Sequence, residues 1–133
     1  MSGKAIILYI EDNPANLRFM THLLRRRSNL NLLTASEPGA GLRLAQEHRP
    51  DLILLDIHLP EMDGFEVFRH LQESERTRDI PVIAVSANAM PSEIERALNE
   101  GFRDYCTKPI DINKFMKTID TILRPVTPAG QAK

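Results

Sequence analysis

The sequence predicts an α/β fold in which a five-stranded parallel sheet carries helices on both faces. Three observations lead to this prediction: short apolar runs, segments between them with the spacing of amphipathic helices, and a strict alternation of the two along the chain. A chain of 133 residues has room for one such domain. Apolar residues make up 42% and charged residues 26% of the sequence, as in globular proteins that fold alone.

Three apolar runs predict strands that are buried on both faces of the sheet. They cover residues 5–10, 52–55 and 81–85, each is rich in Ile, Leu or Val, and none alternates between apolar and polar residues. Two weaker strands at residues 30–35 and 103–107 complete the set. Because a helical segment separates each strand from the next, we expect parallel strands joined by helical crossovers.

The segments between the strands place apolar residues at the three- and four-residue spacing of a helix face. In chain order, the apolar sets are Leu17, Met20 and Leu24; Leu42 and Ala45; Phe65, Phe68 and Leu71; Ile94, Ala97 and Leu98; and Ile112, Phe115, Met116, Ile119 and Leu123. Residues that favour helix starts lie near the predicted N-termini, namely Asn13-Pro14, Ser36, Pro91-Ser92 and Asp111, and Gly101 lies just past the predicted end of the fourth helix.

The regular alternation covers residues 4–124, which we interpret as a single domain. Residues 125–133 lose the helical spacing and are rich in Pro, Gly and Ala. That composition is typical of a flexible tail or the beginning of a linker.

Composition argues against several classes of function. The longest apolar stretch, residues 5–10, is far shorter than the roughly 20 residues of a membrane helix, and no secretion signal opens the chain. A net charge of −1 provides no basic field for nucleic acid. Cys106 is the only cysteine, so the chain has neither an intrachain disulfide nor a thiolate metal cluster. We therefore expect a cytoplasmic protein that binds neither membranes nor nucleic acid.

Polar residues follow the predicted strands at their carboxyl ends, where open parallel sheets bind ligands. Glu11 and Asp12 follow the first strand, and Asp56, Ser86 and Lys108 follow the third, fourth and fifth. Carboxylates about 4 Å apart repel by about 4 kcal/mol at an effective dielectric constant near 20, so this cluster favours a bound cation. Carboxylates and water are ligands that Mg²⁺ prefers. The ammonium and hydroxyl groups would then face an anion, and a phosphoryl group fits that mixture.

These residues and their surroundings resemble the receiver domain of two-component response regulators. The matching motifs occur in the family's order over about residues 4–124 and are Glu11-Asp12-Asn13, residues 51–64, Ser86-Ala87, Tyr105 and Lys108-Pro109. The resemblance implies the flavodoxin-like receiver fold with strand order 2-1-3-4-5. It also implies a phosphorylation-dependent signalling switch of a phosphorelay, and we expect no DNA-binding output domain in this chain.

The resemblance implies a phospho-acceptor and a metal site. Asp56 corresponds to the acceptor, and Glu11 and Asp12 correspond to the acidic pair that binds Mg²⁺ together with it. The third protein ligand of the family is a backbone carbonyl two residues after the acceptor, which is that of His58.

The resemblance also implies the residues that transmit the signal. Lys108 would contact the phosphoryl oxygens, and its bond to Pro109 would be cis. Ser86 would move to hydrogen-bond a phosphoryl oxygen, and the rotamer of Tyr105 would follow Ser86. The implied donor is a histidine kinase or a histidine-phosphotransfer protein, and the implied downstream target binds a face made of the fourth helix, fifth strand and fifth helix. Homodimers that form on phosphorylation are also compatible with the resemblance.

Two other functions are compatible with parts of the pattern. A Mg²⁺-dependent phosphohydrolase of the haloacid-dehalogenase type also uses an aspartate nucleophile, but it has a second Asp two residues later, where this chain has His58. A receiver that works without phosphorylation would lack the acceptor, the lysine or the acidic pair, and all four residues are present. We therefore expect a phospho-acceptor and not a turnover enzyme. The sequence leaves open whether the chain is a stand-alone regulator or the receiver of a hybrid histidine kinase.

Overall fold

The computed structural model describes residues 4–123, in which strands and helices alternate along the chain. The strands are β1 (Ala5–Ile10), β2 (Leu30–Ala35), β3 (Leu52–Asp56), β4 (Val82–Ser86) and β5 (Asp104–Thr107). The helices are α1 (Pro14–Arg25), α2 (Pro38–His48), α3 (Gly64–Glu73), α4 (Pro91–Glu100) and α5 (Ile112–Leu123). Every predicted strand is present with its ends within one residue of the expected positions. The predicted tail, residues 125–133, lies outside the described residues.

The five strands form one parallel sheet in the order β2-β1-β3-β4-β5, as the resemblance implies. The chain runs from β1 outward to β2 and then crosses back to β3 on the other side of β1, so the direction of winding reverses between β1 and β3. The register aligns the carboxyl ends of these two central strands, because Ile10 pairs with Leu55. The residues that follow, Glu11 and Asp56, are therefore neighbours at the point where such sheets bind ligands.

Both faces of the sheet are buried, which explains why the strand sequences do not alternate between apolar and polar residues. Along β1, Leu8 and Ile10 belong to the core under α2, α3 and α4, whereas Ile7 and Tyr9 belong to the core under α1 and α5. Burying one such aliphatic side chain contributes roughly 1.5–3 kcal/mol. The two cores fix the central strands, and with them the carboxyl edge of the sheet.

Local sequence signals begin and end several helices where they were expected. The Asn13 side chain accepts hydrogen bonds from the backbone N–H groups of the first turn of α1, and Gly101, at φ 118°, ends α4 in the left-handed conformation. Helix α2 differs in detail, since Glu37 and not Ser36 occupies its N-cap position and makes no side-chain cap. Pro38 begins that helix instead, because its fixed φ suits the first turn. Over residues 4–123, every helix is too short or too polar to cross a membrane.

Candidate functional site

Two carboxylates are buried side by side at the carboxyl edge of the central strands. Glu11 follows β1 and is 1% exposed, and Asp56 is the last residue of β3 and is 4% exposed. Burying a charge is costly unless hydrogen bonds or opposite charges compensate it. The surroundings of these two residues therefore decide what the site can bind.

Lys108 supplies a positive charge to both carboxylates. Its Nζ atom lies 2.8 Å from Glu11 Oε1 and 3.7 Å from Asp56 Oδ2. The residue follows β5, its backbone N–H donates to the carbonyl of Ser86 at 2.9 Å, and its peptide bond to Pro109 is cis. The side chain thus reaches across the sheet edge from β5 to the central strands.

Asp12 adds a third, exposed carboxylate to the pair. One oxygen from each of Glu11, Asp12 and Asp56 lies within 4.8 Å of the others. Oxygen atoms of this kind at this spacing suit a hard divalent cation such as Mg²⁺. His58, two residues after Asp56, donates its backbone N–H to Asp56 Oδ1 at 3.1 Å, which orients that carboxylate.

Glu11 is held by more donors than the sequence analysis anticipated. The Tyr9 hydroxyl donates to Glu11 Oε1 at 2.8 Å, the Asn16 side-chain amide lies 3.3 Å from the same oxygen, and the Asn13 backbone N–H donates to Oε2 at 3.1 Å. Tyr9 is 1% exposed, and its place in an apolar run gives no sign of a role at the site. The signal that could have identified it is a hydroxyl two residues before the acidic pair, on the same strand.

The pKa values of the two buried carboxylates are shifted in opposite directions. The pKa of Asp56 is raised from 3.8 to about 6. Burial is the largest cause, the adjacent Glu11 carboxylate adds to it, and the positive charge of Lys108 opposes it. Burial also raises the pKa of Glu11, but hydrogen bonds from Lys108 and other neighbours outweigh burial and hold that pKa below its usual value. At neutral pH both groups are therefore ionised, and Asp56 is the more basic of the two.

Gly64 keeps the backbone around Asp56 compact. Its N–H donates to the carbonyl of Ile57 at 2.8 Å, and a Cβ atom at this position would lie 2.7 Å from both Asp56 O and Ile57 Cα. That distance is shorter than side chains tolerate, so only glycine fits. The glycine of the matched segment thus lets α3 begin directly beside Asp56.

Ser86 and Tyr105 belong to a second network, beside the acidic cluster. The Ser86 hydroxyl accepts from the Asn88 backbone N–H at 3.0 Å and lies 3.4 Å from Glu93 Oε2. The Tyr105 hydroxyl lies 2.7 Å from the Asn88 carbonyl and 2.8 Å from Glu93 Oε2, and its pKa is raised to about 12 by burial and the nearby Glu93 carboxylate. Glu93 lies in the first turn of α4 and was not predicted from the sequence.

The predicted site residues therefore fall into two adjacent groups. Three of them form the acidic cluster, and these are Glu11, Asp12 and Asp56. Lys108 pairs with Glu11 and Asp56 and belongs to the same group. Ser86 and Tyr105 meet instead at Glu93. His58 touches both groups, because its backbone N–H binds Asp56 while its ring Nε2 lies 3.4 Å from Glu93 Oε2.

A doubly wound parallel sheet with an acidic cluster and a lysine at its winding reversal is the class of domain that two-component systems use as receivers. The chain belongs to the response regulator receiver domain family, whose model matches residues 7–120. The family assignment confirms the resemblance on which the sequence analysis relied. It identifies the chain as a receiver of two-component signalling and makes the phosphohydrolase alternative unnecessary.

Relatives and solved structures agree with this assignment. The polar-differentiation response regulator DivK of Brucella ovis is 42% identical over 117 residues, which cover 88% of this chain and 94% of the relative. The receiver domain of a sensor histidine kinase from Pseudomonas aeruginosa PAO1 is 31% identical, with a TM-score of 0.80 over 90% of this chain and 97% of that one. Its crystal structure has a magnesium ion coordinated in the active site cleft. A signal receiver domain from Colwellia psychrerythraea 34H, 24% identical with a TM-score of 0.86 over 92% of this chain and 100% of that one, shares the fold.

Proposed function

We propose that this chain is a phosphorylation switch in which Asp56 accepts a phosphoryl group from a phosphohistidine. The observation that carries the proposal is the position of Asp56, a buried carboxylate at the winding reversal that lies beside two acidic residues and 3.7 Å from Lys108. The donor is a histidine kinase or a histidine-phosphotransfer protein, because the family belongs to two-component signalling.

Mg²⁺ is the proposed cofactor, and the donor set fits it. Glu11, Asp12 and Asp56 would hold the ion through carboxylate oxygens that lie within 4.8 Å of one another, with the backbone carbonyl of His58 as a further ligand. When bound, Mg²⁺ offsets part of the negative charge that a phosphoryl group brings to three carboxylates. The Pseudomonas aeruginosa receiver with a coordinated magnesium ion supports this choice of metal.

The transfer is a displacement at phosphorus in which Asp56 is the nucleophile. A carboxylate oxygen of Asp56 forms the new P–O bond while the P–N bond to the donor imidazole breaks, and the nitrogen keeps the electron pair of that bond. In the metal-free chain the pKa of Asp56 is about 6, so the carboxylate is already ionised at neutral pH, as a nucleophile has to be. Lys108 is placed to hydrogen-bond a phosphoryl oxygen once its contact with Glu11 loosens.

The donor is proposed to dock beside Lys108, on a groove of about 370 Å³ between α1 and the start of α5. Phe19 and Ile112 line it and are 43% and 40% exposed, and Asn16 and Lys108 connect it to the acidic cluster. A donor protein has to bring its histidine to Asp56, and Phe19 and Ile112 are exposed large apolar side chains in the groove beside Lys108. The groove thus offers a partner apolar contact next to the reacting carboxylate.

The output is a change in the face made of α4, β5 and α5. A cleft of about 370 Å³ between α4 and α5 is lined by Ile94, Tyr105 and Lys114 among others, and Leu98 on α4 is 46% exposed. The hydroxyl of Ser86 would turn toward the phosphoryl group, and the Tyr105 side chain would adjust with it. Because Tyr105 lines the cleft, its adjustment changes what a downstream protein or a second copy of the chain would contact.

The test is to locate the phosphate chemically. The purified chain is mixed with a small-molecule phosphodonor and Mg²⁺, and the acid-labile phosphate is mapped by mass spectrometry. We expect labelling of wild type at Asp56, none after chelation of the metal, and none in Asp56→Asn. Asp63→Asn is the matched control, because Asn keeps the cap that Asp63 gives to Glu66 N. Full labelling of Asp56→Asn would overturn the proposal.

A further inference from the structure

Four polar groups converge on the carboxylate of Glu93. The hydroxyl of Tyr105 lies 2.8 Å and that of Ser86 3.4 Å from Oε2, and the side-chain amide of Asn88 donates to Oε1 at 3.1 Å. The ring of His58 lies 3.4 Å from Oε2. Glu93 is therefore the shared partner of both residues proposed to transmit the signal, although it lies on neither of their strands.

Two acceptors would compete for the hydroxyl proton of Ser86: the Glu93 carboxylate and a phosphoryl oxygen on Asp56. The Ser86 oxygen already accepts from the Asn88 backbone N–H, which leaves its own proton free to be donated. In the structure the acceptor within reach is Glu93 Oε2. A phosphoryl oxygen on Asp56 would need the same proton, so Ser86 cannot serve both at once.

The negative charge of Glu93 also disfavours the phosphorylated state, as the competition for the Ser86 proton does. A phosphoryl group on Asp56 adds negative charge close to His58, whose ring contacts Glu93 and whose backbone N–H contacts Asp56. Glu93 has 18% of its side chain exposed, so solvent screens its charge only in part. Its carboxylate therefore repels the added phosphoryl charge while it holds the hydroxyl that should stabilise that charge.

We propose that Glu93 is a positioning residue that opposes the phosphorylated conformation by retaining the Ser86 proton. This inference rests on the proposed function and adds the regulation of that site. Loss of the Glu93 carboxylate frees Ser86 without touching Asp56, Lys108 or the acidic pair. The phosphoryl group should then be held more tightly, and the phosphorylated conformation should be more highly populated.

The experiment measures the affinity of the chain for beryllofluoride in the presence of saturating Mg²⁺. Glu93→Ala should bind beryllofluoride roughly threefold to tenfold more tightly than wild type, the range that one ordinary hydrogen bond supplies. Glu93→Gln keeps the size and an acceptor but removes the charge, so it should show a smaller increase even if Glu93→Ala folds poorly. Glu95→Ala is the matched control, an exposed glutamate on the same helix, and should bind as wild type does.

A double-mutant cycle separates proton competition from a general effect on α4. In the Ser86→Ala background, Glu93→Ala should tighten binding by clearly less than it does in the Ser86 protein, because no proton remains to be released. Equal effects in the two backgrounds, or unchanged or weaker binding by Glu93→Ala, would overturn the role of Glu93. Wild type that fails to bind beryllofluoride at all would instead contradict the proposed function, and the inference with it.

Discussion

Asp56 shows at the scale of one residue how the fold prepares a carboxylate for chemistry. Burial and the neighbouring Glu11 raise its pKa to about 6, and Lys108 at 3.7 Å only partly compensates. Without a metal the ionised carboxylate therefore lowers the stability of the folded chain. The same environment makes the site receptive to a cation, because a bound cation relieves the repulsion between the carboxylates.

Because the ionised Asp56 carboxylate destabilises the metal-free folded chain, Asp56→Asn should be more stable than wild type by an amount that depends on pH. The pKa of Asp56 is raised from 3.8 to about 6, so the folded chain binds a proton more readily, and the free energy of unfolding falls as the pH rises through about 6. In metal-free buffer near pH 8, urea unfolding should show the variant to be more stable than wild type by at most about 3 kcal/mol. The gain should vanish below about pH 4, where Asp56 is protonated in both states.

Saturating Mg²⁺ provides the internal control for that experiment. If the ion binds the folded wild type through the proposed carboxylates, it should remove most of the advantage of Asp56→Asn. A gain that is as large at pH 4 as at pH 8, or one that Mg²⁺ leaves unchanged, would contradict the account of Asp56.

Tyr9 provides a second prediction at the residue scale. Its hydroxyl donates to Glu11 Oε1, so Tyr9→Phe removes one donor that orients a proposed metal ligand while the ring still fills the core. Loss of such an outer partner typically costs 10–100-fold in metal affinity, and because Lys108 and Asn16 remain we expect a loss of about tenfold. Titration with Mg²⁺ measures it. Thr21→Val deletes a hydroxyl on α1 that donates to the Leu17 carbonyl, and it should leave the affinity unchanged. Equal affinity of Tyr9→Phe and wild type would show that Tyr9 does not orient Glu11.

Among the secondary-structure elements, the loops that follow the strands and the last residues of the strands provide the site residues. The pairing of the strands determines which of these loops lie side by side. The parallel register sets Glu11 beside Asp56, and the loop after β5 reaches back with Lys108. Helix α1 begins at the same edge, so Phe19 and the groove next to Lys108 belong to one surface with the acidic cluster. The proposed docking groove and the proposed phospho-acceptor therefore lie on one surface of the domain.

The groove predicts that protein donors and small donors depend on different residues. Phe19→Ala removes the more exposed of the two large apolar side chains in the groove. Phosphotransfer from a phosphorylated histidine-phosphotransfer domain should therefore slow by about tenfold or more, as when a central apolar contact of an interface is lost. Labelling by a small-molecule phosphodonor should proceed at the wild-type rate. Leu98→Ala, an exposed apolar residue on α4, is the control and should not slow either reaction. Equal slowing of both reactions by Phe19→Ala would indicate damage to the site and not to docking.

The elements were predictable from the sequence because their signals are local. Apolar runs gave the strands and three- and four-residue spacing gave the helices, and both depend only on neighbours along the chain. The order of the strands was not derivable in this way, since periodicity does not say which edges pair, and it came from the family resemblance. Glu93 and Tyr9 escaped the sequence analysis for the related reason that their partners are set by tertiary packing. Glu93 meets Tyr105 from another element, and the Tyr9 hydroxyl is hidden in an apolar strand.

For the whole molecule, the proposed switch requires a phosphoryl charge at Asp56 to alter the face made of α4, β5 and α5. Moving a conformational equilibrium from 1:99 to 99:1 takes about 5.5 kcal/mol of differential interaction. One hydrogen bond from Ser86 supplies about 1 kcal/mol of that, so Lys108 and the metal have to contribute most of the difference. His58 links Asp56 to Glu93 through its backbone N–H and its ring, and Glu93 contacts Tyr105, which lines the cleft between α4 and α5.

The most direct test of the account is the response of backbone amide resonances to beryllofluoride with Mg²⁺. In wild type, shifts should spread from Asp56 through Ser86 to residues 94–105. Ser86→Ala should still bind the mimic but show much smaller shifts in that segment. Shifts confined to the immediate neighbours of Asp56, or identical shifts in wild type and Ser86→Ala over residues 94–105, would contradict it.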